Sequence, residues 1–388
     1  MTPKQPEGRK LKVLHTMTWL ARGGGVDNNV LLTIKGLKDE FDFHLAVGTT
    51  IDHNDFKDID GLKIFYMEDM IRPVHPIKDL KAIWYLYKLI KREKYDVVHT
   101  HEAKASLVTR IAGWMAGCPL IVFGLHGVTF NDPHSKLKRL FYVLLEKLTV
   151  PPSHHIVSVS QDCIDQYHEE NIGRNIPYTI AFSGIDTSKF RSADRAKALE
   201  ERRSLGIADT DMVLMNVGRF SFAKAQRYTI EAFANAKKKH PNLKLVFVGF
   251  GELKEECEAQ CKELGVLDDV IFYGFSDNIP QVLAMADVNV LTSLREGLPR
   301  VVVESALMKV PTACFEVEGI HEIINNGESG FIVPQYDVQS LTEKIEALLS
   351  DEGLRAKFGL KAHDHAMARW DYNVMNEQLK ELYNSSGR

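Results

Sequence analysis

The chain has 388 residues, 45% of them hydrophobic and 26% charged, and carries a net charge of −4 at neutral pH. That length suits two or three domains, each with its own core. The mild charge imbalance, +2 over residues 1–190 and −6 over the rest, argues against a protein that binds nucleic acid by charge. No apolar run reaches the roughly 18 residues of a membrane span, and the polar stretch from Met1 to Lys12 lacks the apolar core of a signal peptide. Five scattered cysteines, Cys118, Cys163, Cys257, Cys261 and Cys314, form no CxxC pair, so reduced thiols and a cytoplasmic location are expected.

In chain order, residues 10–18 (KLKVLHTMT) read as a first buried strand. Gly23-Gly24-Gly25 ends it, and 26–37 suits an amphipathic helix. Strands follow at 43–47 and 63–66, then a helix over 77–93 with Leu80, Ile83, Trp84, Tyr87 and Ile90 at helical spacing. A strand at 96–101, a helix over 103–116 and a strand at 120–123 continue the alternation. The pattern restarts after residue 190, with strands at 212–217, 243–248, 270–273 and 286–293 and helices at 226–239, 252–264 and 279–286. Alternating strands and helices build parallel sheets. Two such series predict an α/β protein of two doubly wound, Rossmann-like domains facing a central cleft, residues 1–188 and 189–369. Ligands then gather at the carboxyl ends of strands.

The most informative segment is Leu294-Arg-Glu-Gly-Leu-Pro-Arg-Val-Val-Val-Glu304. It joins the last of these strands to a helix whose first turn Pro299 suits. Glu296 falls in the loop and Glu304 about one turn into the helix. A helix N-terminus favours an anion, and carboxylates beside it belong there if they grip hydroxyls of the same ligand. A nucleotide-diphosphate sugar offers both. Arg219 and Lys224 follow the first strand of the second half, where two cations can neutralise a leaving diphosphate. The triple-glycine loop lets backbone N–H groups approach a phosphate or sugar, but no GxGxxG follows it. Gly249-Phe-Gly251 is also incomplete, which argues against NAD or FAD.

His126 sits just past a strand end and suits a sugar hydroxyl as well as a structural turn. His99 and His101 alternate on one strand and share a face, but a metal site there needs a third ligand. The DxD matches at Asp58–Asp60 and Asp209–Asp211 read as solvated loops, so no metal is expected. The helix around Trp84 carries Lys78, Lys81, Lys88, Lys91 and Arg92. It reads foremost as a core-packing amphipathic helix and secondarily as a surface for anionic membranes.

Taken in this order, the segments resemble the retaining GT-B glycosyltransferases of family 4, the group-1 glycosyltransferases, over about residues 11–383. The glutamate–seven–glutamate segment from Glu296 to Glu304 carries most of the resemblance. Gly24-Gly25, Val98-His-Thr-His101, His126-Gly127, Gly218-Arg219 with Lys224, and the run from Gly327 to Pro334 support it. The resemblance implies that Glu304 holds the ribose, Glu296 the transferred sugar, and the backbone at Gly297, Leu298 and Pro299 places that sugar. It implies Arg219 and Lys224 on the diphosphate, His126 near the reacting carbon, and Gly23, Gly24 and Gly25 against phosphates and acceptor. It further implies a last helix, 370–383, returning to the first domain.

Ala225 and Lys309 stand where the family usually has glycine, Ser183 where asparagine is common, and Asp27 where glutamate is usual. The reaction expected is metal-independent transfer of a hexosyl or N-acetylhexosaminyl group to an acceptor hydroxyl. The acceptor expected is a saccharide or lipid-linked saccharide of surface-polysaccharide synthesis, with peripheral membrane contact. The departing phosphate takes the acceptor's proton, and no second carboxylate stands out in the first domain. A sugar-nucleotide epimerase or phosphorylase, or a non-catalytic sugar-nucleotide-binding module, is the alternative.

Overall fold

The computed structural model describes residues 9–20, 24–50, 54–130 and 135–387. The chain divides into two compact units, Met1–Ile185 with Tyr372–Arg388, and Asp186–Asp371.

The first unit holds seven strands: β1 (Leu11–Leu20), β2 (Phe41–Thr50), β3 (Lys63–Tyr66), β4 (Val97–Thr100), β5 (Leu120–Leu125), β6 (His155–Ser158) and β7 (Tyr178–Ile180). Their order is β3-β2-β1-β4-β5-β6-β7, with every pairing parallel. The second unit holds β8 (Met212–Val217), β9 (Leu243–Val248), β10 (Val270–Gly274), β11 (Val288–Leu291), β12 (Thr312–Phe315) and β13 (Gly330–Val333). These run in the order β10-β9-β8-β11-β12-β13, again all parallel. Both sheets reverse strand order once, between β1 and β4 and between β8 and β11. The strand ends beside such a reversal form the crevice where doubly wound sheets take ligands.

Both faces of each sheet are covered, as parallel sheets require. Val13, Val97 and Val122 join one cluster of the first unit, whereas their neighbours Leu14, Val98 and Ile121 join the opposite one. In the second unit Leu214, Leu245 and Phe247 alternate with Val213, Met215, Val246 and Val248 in the same way.

The last helix, Tyr372–Asn384, packs on the Gly25–Leu37 helix of the first unit and buries Met375, Leu379 and Tyr383 among Val30, Ile34 and Leu37. The Asn376 side chain fills the space beside Gly36, where a Cβ would lie 2.0 Å from its amide nitrogen. Trp370 belongs instead to the end of the preceding helix, Glu352–Arg369.

Two expectations need correction. The helix Pro76–Glu93 buries Ala82, Leu86, Leu89 and Ile90, while Leu80 and Trp84 are exposed. Packing on the Ala103–Ala116 helix selects this stripe, which the large apolar residues at the surface obscured. Pro299 is the residue before its helix, not in its first turn; Arg300–Leu307 is the helical span.

Candidate functional site

In the second unit, the loop after β8 and the segment after β11 are tied together by hydrogen bonds to the backbone of the loop. Thr292 Oγ1 donates to the carbonyls of Lys224 and Ala225 at 3.3 and 3.0 Å, and Leu294 N donates to Ala223 O at 2.8 Å. Thr229 meets Thr292 Oγ1 at 2.9 Å, and Asn216 donates to Val290 O at 2.9 Å. Gly249 and Gly251 have a different use from a nucleotide fingerprint. A Cβ on either would lie 2.2 Å from the Gly218 or Phe220 carbonyl, so these glycines let the strand ends close on the Arg219 loop. Gln226 Nε2 donates to Arg219 O at 3.0 Å and fixes the same loop.

This scaffold brings Lys224 onto Glu296, whose Oε1 accepts a hydrogen bond from Nζ. Glu296 N donates to Glu318 Oε2 at 3.2 Å. The following Gly297 carbonyl lies against Gly319, which sits at φ +74° and where a Cβ would come within 2.8 Å of that carbonyl. Leu298 and Pro299 are buried beneath this turn. Glu304 projects from the Arg300–Leu307 helix, and burial raises its pKa while Arg300 and Lys224 oppose the rise. Burial in turn lowers the Arg300 pKa, with Glu304 opposing. Arg219 is the outlier of the set: it is exposed and paired with Glu252 at 3.0 Å. The site therefore joins Lys224, Glu296 and Glu304 beside one helix N-terminus, with Arg219 on the rim.

Arg300 and Glu318 were not anticipated. Arg300 had a signal in its i,i+4 spacing to Glu304. Glu318 lies on a turn after β12, and its approach to Glu296 is purely tertiary.

In the first unit, a cavity of about 410 Å³ opens at the ends of β1, β4 and β5 and is lined by His126, Glu102, Lys104, Arg72, Trp19 and Glu146, among others. Gly24 precedes the Gly25–Leu37 helix with φ −66° and ψ 138°, dihedrals that any residue adopts. Gly23 lies outside the described residues. Two carboxylates in this cavity went unrecognised in the sequence. Glu102 Oε2 accepts from Thr18 N at 2.7 Å and Trp19 N at 3.4 Å, and burial raises its pKa. Glu146 receives Arg110 at 3.0 Å. Both are engaged in holding the cavity wall.

His99 and His101 share a face as expected, and His15, opposite His99 in the register of β1 and β4, completes a group of three. His101 Nδ1 is 2.8 Å from His126 Nε2. Asp209 is paired with Arg203 at the surface.

Comparison with known proteins supplies the family. Residues 23–189 match the model of Glycosyltransferase Family 4, and residues 197–365 match that of Glycosyl transferases group 1. The chain belongs to glycosyltransferase family 4. It is 28% identical to the UDP-Gal:alpha-D-GlcNAc-diphosphoundecaprenol alpha-1,3-galactosyltransferase of Escherichia coli, over 89% of each chain. It is 25% identical to the capsular polysaccharide biosynthesis glycosyltransferase CapM of Staphylococcus aureus, over 90% of this chain and 91% of that one. Among solved structures, Anabaena HepE in complex with UDP and glucose superposes with a TM-score of 0.81 at 22% identity, covering 97% of this chain and all of that one. WaaG, a glycosyltransferase of lipopolysaccharide biosynthesis, gives 0.78 at 16% identity, over 94% and 98%. The chain thus has the GT-B fold.

Proposed function

We propose that this family-4 glycosyltransferase moves a hexosyl or N-acetylhexosaminyl group from a UDP-sugar to a hydroxyl of a lipid-diphosphate-linked saccharide, with retention and without a metal. The observation that carries the reading is the convergence of Lys224, Glu296 and Glu304 at the strand-order reversal of the second unit, beside a helix N-terminus. Lys224 and the rim Arg219 would meet the diphosphate, the peptide groups at Gly297–Pro299 and Glu296 the sugar, and Glu304 the ribose. A carboxyl whose charge burial disfavours suits a ribose hydroxyl better than a phosphate. In the first unit, His126 and Gly24-Gly25 would border the reacting sugar and the acceptor. The UDP donor is favoured because HepE was crystallised with UDP and the E. coli relative's name specifies UDP-Gal. The acceptor class is favoured because that relative's name specifies a diphosphoundecaprenol.

A second observation bears on the acceptor. The helix Lys136–Thr149 buries only Val143, Glu146 and Thr149, and exposes Leu137, Leu140, Phe141, Leu144 and Leu148. Lys136, Lys138, Arg139 and Lys147 lie on the same helix. Such a helix suits the interface of an anionic membrane, where a lipid-linked acceptor resides and where the enzyme would work from the cytoplasmic face. Among the described residues no helix is long and apolar enough to cross a membrane.

Incubation of UDP-sugars with undecaprenyl-diphosphate-linked GlcNAc in excess EDTA, followed by NMR of the product, tests the reading. An α-linked product from an α-linked donor is expected. An inverted linkage, or strict need for an added divalent ion, would overturn the corresponding part.

A further inference from the structure

His126 stands at the end of an unbroken line of buried polar groups drawn from four separate elements. His99 Nδ1 lies 2.7 Å from the Tyr383 hydroxyl, and that hydroxyl lies 3.5 Å from His15 Nε2. His15 Nδ1 is 2.8 Å from His101 Nε2, and His101 Nδ1 is 2.8 Å from His126 Nε2. The His15 and His101 ring planes are 11° apart with centroids 5.0 Å apart. With nitrogens at 2.8 Å, that centroid spacing sets the rings edge to edge, as a hydrogen bond between them requires. Tyr383 belongs to the returning last helix.

Burial lowers the pKa of His15 to about 3 and of His126 to about 4, and holds those of His99 and His101 well below the usual value. Each imidazole is therefore neutral, with one N–H and one lone pair. All the links can then form with every proton pointing along the line, with every proton pointing back, or with His99 and His15 both donating to the Tyr383 oxygen, which would orphan the buried Tyr383 O–H. The inner end decides between the first two. His99 Nε2 is fully buried and has no hydrogen-bond partner among the described residues. A buried lone pair is tolerated better than an orphaned N–H. So His99 carries its proton on Nδ1 and donates to Tyr383, Tyr383 to His15, His15 to His101, and His101 to His126 Nε2.

We infer that His99, Tyr383, His15 and His101 act as positioning residues that hold His126 in its Nδ1–H tautomer, making it a neutral donor toward an acceptor oxygen of the ligand. This deepens the glycosyltransferase reading, since it rests on His126 facing the ligand. The three-histidine group is not read as a metal site. Its His15–His101 spacing of 2.8 Å is shorter than the roughly 3.3 Å between ligands of a tetrahedral zinc with Zn–N near 2.0–2.1 Å.

The experiment is long-range proton–nitrogen NMR of histidine-labelled full-length protein, with signals assigned by single substitutions. His126 is expected as one tautomer, protonated at Nδ1, from pH 6 to 8. In Tyr383→Phe, which keeps the ring but removes the hydroxyl, both His126 tautomers are expected, with kcat about 3- to 10-fold lower and donor KM unchanged. A wild-type His126 protonated at Nε2, an unchanged single tautomer in Tyr383→Phe, or one equivalent of zinc in the purified protein would overturn the inference. The tautomer is read without substrate, so its failure is distinguishable from failure of the proposed reaction.

Discussion

Lys224 and Glu296, seventy-two positions apart in sequence, form a hydrogen-bonded ion pair at the strand-order reversal of the second sheet. In the proposed reading, the cation that would meet a diphosphate is thus held by the carboxylate that would meet the sugar. Lys224→Ala should remove about 3–4 kcal/mol of transition-state stabilisation, roughly 100- to 1000-fold in kcat/KM. Glu296→Gln should separate the two roles. It frees Lys224 and removes a negative charge, so free UDP should bind tighter by about 1 kcal/mol, roughly fivefold, while turnover falls. Calorimetry showing weaker UDP binding to Glu296→Gln would contradict this division.

Two departures from the family's glycines have a visible cost. Ala225 and Lys309 both lie in the left-handed region, at φ 47° and 60°. Lys309 is exposed, and its carbonyl would be 2.1 Å from a Cβ on Gly359, so the helix carrying Gly359 fixes the turn. The left-handed conformation costs a non-glycine residue about 1–2 kcal/mol, part of which glycine returns as unfolded-chain entropy, about 0.4–1 kcal/mol. Lys309→Gly should therefore stabilise the protein by roughly 0.5–1 kcal/mol in urea unfolding. Lys309→Ala, with the same φ, should match wild type; equal gains from both would place the effect in the side chain.

The alternation that specifies the sheets was plain in the sequence, and spans such as Lys63–Tyr66, Ala103–Ala116 and Met212–Val217 needed no adjustment. The short strands β6, β7, β12 and β13 went unseen, since three or four residues carry no period of their own. At the site, Glu296, Glu304 and Lys224 were legible because each lies just past a strand or inside a helix start. Glu318, Glu102 and the line from His99 to His126 were not. Their contacts join strands that become neighbours only when the sheet forms, and Tyr383 lies 284 residues from His99.

The buried histidines should make the first unit acid-sensitive. In the unfolded chain they titrate near 6.5, whereas in the fold His126 and His15 are held down to about 4 and 3. Depressed pKa values mean that the unfolded chain binds more protons below 6.5. The stability they contribute is full above that pH and declines as pH falls toward 4 and then 3, by up to about 1.4 kcal/mol per pH unit for each such group. Hydrogen exchange at pH 5, corrected for intrinsic rates and compared with pH 7, should show residues 9–185 losing protection before residues 186–371. The reverse order would refute the assignment of neutral histidines.

The exposed stripe on the helix Lys136–Thr149 predicts binding to anionic vesicles. Replacing Leu140, Phe141 and Leu144 together by serine should lower vesicle affinity at least about tenfold, and replacing Lys136 and Lys138 by glutamine should weaken it in a salt-dependent way. Circular dichroism should show the fold intact, because these side chains are exposed. Undiminished co-sedimentation of both variants would remove this helix from the membrane surface.

Activation of a nucleotide-diphosphate sugar by the proposed Lys224–Glu296–Glu304 site is checked by nucleoside diphosphate release from a panel of UDP- and GDP-sugars, in wild type and Lys224→Ala side by side. Release from at least one donor is expected in the wild type, at a rate roughly 100- to 1000-fold lower in the variant. No release from any donor, or equal release from both proteins, would contradict it.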